Sequence, residues 1–122
     1  MLRDWPAEAV LPANNLDRAG RFYRDFLGLT IERDTTRDAL AVHAGGDTLF
    51  RLQLTGTPPC ENQTLTFLVR DLNAEVDALK DAGIRFEERE HPRTTDGIAE
   101  VDGVRMAWFH DSEGNVVGMR EG

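Results

Sequence analysis

The sequence predicts an α+β fold of two tandem βαβββ modules whose mostly antiparallel sheet curves around a shared groove. Three observations carry this reading. A strand, capped helix and strand run from Ala9 to Ile31, the same order returns from Leu65 to Phe86, and each copy later reaches a turn followed by a strand. These turns are Gly46-Asp47-Thr48-Leu49 and Gly114-Asn115-Val116-Val117. Leu16 aligns with Leu72, Gly28 with Gly83, Leu29 with Ile84, Ile31 with Phe86 and Glu32 with Glu87, with one deletion in the second helix. Module one is residues 1–56, a linker is 57–62, and module two is 63–122.

In module one, Glu8 to Ala13 is the first strand. Asn14 and Asn15 can cap a helix in which Leu16, Ala19, Tyr23 and Phe26 fall at helical spacing, and Gly28 stops it. Strands follow at Thr30 to Asp34, Ala39 to His43 and Thr48 to Leu54, the last two joined through Gly45-Gly46. The linker TGTPPCEN is rich in turn formers and has no periodicity. Module two opens with the strand Thr64 to Arg70. Asp71 caps a helix with the stripe Leu72, Val76, Leu79 and Ala82, and Gly83 ends it. Ile84 to Glu88 is then a strand, and Met106 to Phe109 with Val116 to Arg120 form a hairpin around the Asp111 to Gly114 turn. Between them, Arg89 to Gly103 is longer than common loops and is read as a lid in preference to a passive excursion.

Composition bounds the function. At 122 residues and 40% hydrophobic content, the chain is long enough for one independently folded domain. The start MLRDWPAE has charges and a proline where a signal peptide needs an apolar run, and no stretch approaches the roughly 20 apolar residues of a membrane span, so a cytoplasmic protein is expected. With 22 acidic against 14 basic residues, the net charge of −8 opposes nucleic acid and anionic membrane partners and favours a neutral or cationic small molecule. Cys60 is the only cysteine, so no intrachain disulfide forms, and beside Pro58-Pro59 it reads as incidental rather than nucleophilic.

Each strand offers one face to a helix and one to something else. Phe50, Leu52 and Leu54 alternate with Leu49, Arg51 and Gln53; Leu65, Phe67 and Val69 alternate with Thr64, Thr66 and Leu68. The mixed faces line the expected groove, a default small-molecule site. Trp108 and Phe109 point to opposite faces, and an inward Trp108 offers a flat ring to a planar or cationic ligand. Trp5, beside Pro6, can do the same or support a dimer contact. His110, beside the turn, is expected to cap it by hydrogen bonding.

The two modules, the FYRDFLGL helix end, the TFLVRDL strand and helix start, and the WFHDSEGN turn resemble the vicinal oxygen chelate superfamily over nearly the whole chain. LPANNLDRAGRFYRD followed by TDGIAEVDG and AWFHDSEGN looks like a glyoxalase/bleomycin-resistance-like subgroup. The superfamily includes glyoxalases, extradiol dioxygenases and bleomycin-type resistance proteins. Its enzymes hold a divalent metal with histidine, glutamine or glutamate at four positions, which the resemblance carries onto Glu8, Gln53, Thr64 and Gly118. Glycine has no donor and a threonine hydroxyl is a poor one, so no metal or other cofactor is expected.

The resemblance thus implies a metal-independent protein that binds a small planar or cationic ligand, with Glu8, Arg51, Gln53, Thr64, Thr66, Trp108 and His110 as the binding residues. The alternatives are a metal-dependent lyase, isomerase or dioxygenase, and a metal-free enzyme in which Glu8 or His110 moves a proton. Many members are homodimers, and a homodimer is the expected assembly.

Overall fold

The computed structural model describes residues 1–122. The chain divides into two compact units, Met1–Pro59 and Cys60–Gly122. No helix is long and apolar enough to cross a membrane.

The first unit carries β1 (Ala9–Ala13), α1 (Leu16–Arg21) continued by a π-helical turn (Phe22–Phe26), β2 (Thr30–Asp34), β3 (Ala39–His43) and β4 (Leu49–Leu54). Its sheet runs β1-β4-β3-β2, with β1 parallel to β4 and the other pairs antiparallel. The Asn15 side chain accepts a hydrogen bond from the Arg18 amide, which caps α1. Alternation places Leu11, Ala13, Leu40, Val42, Phe50 and Leu52 on one sheet face, all buried, where α1 meets them with Leu16 and Ala19. A fully buried leucine such as Leu52 contributes roughly 1.5–3 kcal/mol.

The expected helical stripe changes at its end. Phe22 and Tyr23 are both buried, although adjacent, while Phe26 is 42% exposed. The π turn causes this by widening the helix, and Tyr23 stacks edge-on against Phe50 with ring centres 5.5 Å apart.

The second unit carries β5 (Leu65–Val69), α2 (Leu72–Asp81), β6 (Thr94–Thr95), β7 (Ile98–Val101), β8 (Val104–His110) and β9 (Val116–Glu121). Its sheet runs β5-β9-β8-β7-β6, again with one parallel pair, β5 with β9. Asp71 caps α2 by accepting from the Ala74 amide. Gly83, at φ 103, ends it while the Ile84 amide reaches back to the Leu79 carbonyl and that of Gly83 to Lys80. Leu72 and Val76 are buried with Val117, Met119 and Phe109.

Two expectations for this unit need correction. Ile84 to Glu88 does not form a strand; only Phe86 bridges to Phe109. The Arg89 to Gly103 segment is not an irregular loop: from Thr94 onward it is two small hairpins added to the sheet edge. Their turns are Asp96-Gly97 and Asp102-Gly103, all four residues at positive φ, the twist that two-residue hairpins require. Gly97 is irreplaceable on a second count, since a Cβ there would lie 2.9 Å from Phe86 Cβ.

Candidate functional site

In the first unit the sheet face turned away from α1 is centred on Arg51. Register sets Arg51 beside Val10 on β1 and Ala41 on β3, with Glu32 beyond. Arg51 Nε donates to Glu8 Oε1 at 2.9 Å and Nη1 donates to Asp34 Oδ2 at 3.0 Å. The Arg51 side chain is only 15% exposed. Its pKa is raised, first by the hydrogen bond to Glu8 and also by that to Asp34, against the opposing effect of burial. The Asp34 carboxyl is held below the usual carboxylate range, first by the Thr36 hydroxyl and then, against burial, by the Thr36 amide and Arg51. Gln53 is already committed, its Nε2 donating to the Arg37 carbonyl at 2.6 Å and reaching the Asp38 carbonyl at 3.3 Å. A concavity of about 700 Å³ lies beside Glu8, lined also by Pro6, Ala7, Asp47, Thr48 and Leu49.

In the second unit, Trp108, Gly118 and Thr66 form one row across β8, β9 and β5. Gln63, just before β5, lies across this row. Its Oε1 accepts from Trp108 Nε1 at 2.6 Å and its Nε2 donates to the Thr66 hydroxyl. A Cβ at Gly118 would come within 2.7 Å of Gln63 Cδ and collide with Nε2 as well. The glycine therefore lets the glutamine amide lie flat over the strand.

Trp108 points to this row, as an inward residue should, but it is not an open platform. It is 3% exposed and packs with Ala99, Val116 and Met106. The Arg89 guanidinium stacks on its ring, 3.9 Å from the centre, in a cation–π contact. Glu87 holds Arg89 in place: Oε2 accepts from Nε at 2.7 Å and sits 2.6 Å from Nη2. His110 is exposed, with Nδ1 3.4 Å from the other Glu87 oxygen.

His110 does not cap its turn. Asp111 does, accepting through Oδ1 from the Glu113 and Asn115 amides, both at 2.8 Å. Asn115, fully buried, donates to Asp111 Oδ2 and accepts from the Cys60 amide. Thr64 lies outside β5 and is exposed.

The structure thus brings Glu8 and Arg51 together in one unit, and Thr66 and Trp108 together in the other. Gln63, Arg89, Glu87 and Asp34 complete these clusters and were not singled out in the sequence. The polar Gln63 next to a strand of alternating threonines was the one available signal.

The four positions that the family resemblance assigns to a metal do not suit one. Glu8 is engaged by a guanidinium, Gln53 by backbone carbonyls, Thr64 offers only a hydroxyl, and Gly118 offers no donor beneath Gln63. No group of three or more His, Cys, Asp or Glu side chains is placed to hold a metal ion.

Comparison with known proteins gives the same architecture. The model of the Glyoxalase/Bleomycin resistance protein/Dioxygenase superfamily matches residues 5–119. No curated protein sequence matches the chain. Among solved structures, a superfamily member from Sphaerobacter thermophilus aligns with TM-score 0.76 and 20% identity, covering 98% of this chain and 99% of that one. Lactoylglutathione lyase from Agrobacterium tumefaciens aligns with TM-score 0.70 and 24% identity, covering 97% and 93%. TnmS3, an antibiotic binding protein from a Streptomyces species, aligns with TM-score 0.69 and 22% identity, covering 96% of each chain. At these identities the likeness is one of fold.

Proposed function

Because the chain belongs to the glyoxalase/bleomycin resistance protein/dioxygenase superfamily, we propose that it is a metal-independent protein that binds a small planar molecule. The observation that carries this reading is the Gln63 amide lying over Gly118 and tied to Trp108 and Thr66. At a position where the family's enzymes place a metal-binding carboxylate, this chain has a glycine whose side-chain space is filled by a neutral amide. An amide with hydrogen-bonding capacity to spare, beside an indole and a threonine hydroxyl, suits a flat ligand with donor and acceptor edges.

A cationic ligand has a competitor on Trp108, because Arg89 already stacks there. It would have to displace that guanidinium from both the ring and Glu87. A planar neutral molecule held by the Gln63 amide and the Thr66 hydroxyl, without stacking on Trp108, needs no such exchange, and the net charge of −8 also disfavours a polyanionic partner. TnmS3 supplies a precedent for binding on this fold, and the lactoylglutathione lyase supplies one for catalysis.

The test is metal content of the purified protein by elemental analysis, followed by add-back of zinc, nickel, iron and manganese with melting temperature as the readout. We expect no stoichiometric metal, no stabilisation by any of the four, and stabilisation by members of a panel of planar aromatic compounds. One tightly held metal per chain would overturn the proposal in favour of a metal-dependent lyase, isomerase or dioxygenase.

A further inference from the structure

We infer that the ligand of the Gln63 row is a flat lactam, a ring in which an N–H stands next to a C=O. The inference rests on the planar-ligand reading above and adds the edge by which such a molecule is recognised.

Trp108 fixes which way the glutamine amide points. An indole N–H only donates, so the atom it meets is the amide oxygen, and Oε1 accepts from Trp108 Nε1 at 2.6 Å. Nε2 is thereby turned to the other side of Gly118, where it donates to the Thr66 hydroxyl. Oε1 and Nε2 each have two bonding positions, and each uses one. Because Trp108 and Thr66 flank Gly118 from opposite sides, they take the two positions that diverge along the row. The lone pair and N–H left over are the parallel ones, an acceptor next to a donor, the edge with which glutamine pairs with adenine. Gln63 is exposed, and its side chain makes no other hydrogen bond.

The Thr66 hydroxyl, having accepted from Nε2, keeps its own O–H. The row therefore asks for a donor opposite Oε1 and for one acceptor that serves both Nε2 and the Thr66 O–H. A carbonyl oxygen has two lone pairs and satisfies both, whereas the ring nitrogen of an amino-substituted heterocycle has one. This selects the lactam among flat molecules with a donor beside an acceptor.

A separate observation shows where the ring goes. Gln63 precedes β5, so its side chain enters the row from the start of that strand, and the free edge, opposite the Cγ–Cδ bond, faces along the strand. In that direction lies Leu68, two residues beyond Thr66 and on the same face of β5. At 68% exposed it is the most exposed large apolar side chain in any strand. Register sets the exposed Arg120 beside it on β9. A ring bonded by its edge to Gln63 and Thr66 covers Leu68 and offers its face to the Arg120 guanidinium, while Arg89 stays on Trp108.

The test compares 2-quinolone with N-methyl-2-quinolone by calorimetry on the full-length protein, two flat molecules that differ only at the lactam nitrogen. We expect 2-quinolone to bind about tenfold or more tightly than its methyl derivative. Gln63→Ala is expected to bring the two within about twofold of each other. Leu68→Ser, a change at an exposed side chain, is expected to weaken both by about threefold or more and keep their ratio. Equal binding of the two quinolones by the parent protein would overturn the lactam assignment and leave the planar-ligand reading standing. An undiminished ratio in folded Gln63→Ala, or a Leu68→Ser variant that binds as the parent does, would overturn it as well. Should Gln63→Ala not fold, the parent protein and Leu68→Ser still decide. Binding of neither quinolone also overturns the assignment, and the panel of planar aromatic compounds then tells separately whether the broader reading falls with it.

Discussion

Gly118→Ala is the most direct probe of the Gln63 arrangement. A Cβ at residue 118 would sit within 2.7 Å of Gln63 Cδ, so the amide must leave the row. Its departure removes the acceptor of Trp108 Nε1, a bond of 2.6 Å to a side chain that is 3% exposed. An indole N–H stranded there costs about 1–3 kcal/mol, while replacing a strand glycine by alanine returns about 0.5–1 kcal/mol. The net expectation is a destabilisation of about 1 kcal/mol. Gln63→Ala strands the same N–H and is expected to cost about 1–3 kcal/mol. The double variant loses that bond only once and keeps the alanine gain, so it should be no less stable than Gln63→Ala alone. This corresponds to a coupling energy of about 1–3 kcal/mol, the cost of the stranded N–H counted once. Urea unfolding followed by tryptophan fluorescence reads it, since Trp108 is buried and Trp5, 71% exposed, changes little. Single-variant effects that add to within about 0.3 kcal/mol would refute the reasoning.

Asn115→Ala should cost about 2–4 kcal/mol by urea unfolding, because it removes its side chain's bonds with the Cys60 amide and with a buried Asp111 oxygen. For Asp34 the sign follows from its depressed folded pKa: the stabilisation is present above the unfolded value, near pH 4, and is lost as pH falls through the lower folded value. Melting temperature measured between about pH 5 and 2 should therefore fall less steeply for Asp34→Asn than for the parent protein. Parallel curves would contradict the Thr36 and Arg51 bonds.

The helix caps and the alternation of the central strands were legible because they are local. Asn15 and Asp71 cap as their spacing indicates, Gly28 and Gly83 stop their helices, and Phe50 and Leu52 face the core. The hairpins after Arg89 were also legible, in principle, from Asp96-Gly97 and Asp102-Gly103. They were obscured because β6 is only two residues long and carries no measurable alternation, so length and Pro92 dominated the reading. Phe26 departs from a constant period of 3.6 because the π turn that holds it does not keep that period. The site clusters were least accessible. Gln63 reaches Trp108 across three strands, and a period of two says which face a residue occupies but not which residue stands opposite it. Gly118 looked like a lost ligand and is, in addition, the space another side chain needs.

The π turn at Phe22–Phe26 has a consequence for how the two halves of this chain can diverge. Leu16 to Gly28 is one residue longer than Leu72 to Gly83. In an unbroken α-helix an added residue rotates everything beyond it by about 100°, which would swing the helix end off its sheet. Here the surplus residue is housed in one widened turn: the Leu29 amide reaches back six residues to Tyr23, where the Ile84 amide reaches back five to Leu79. Both helices consequently begin on a buried leucine and end on a left-handed glycine despite their unequal lengths. A repeat that can absorb an insertion within a single turn is free to change its sequence length without re-registering the strand that follows. The difference in length is thereby taken up before the glycine, and the chain leaves both helices in the same left-handed conformation.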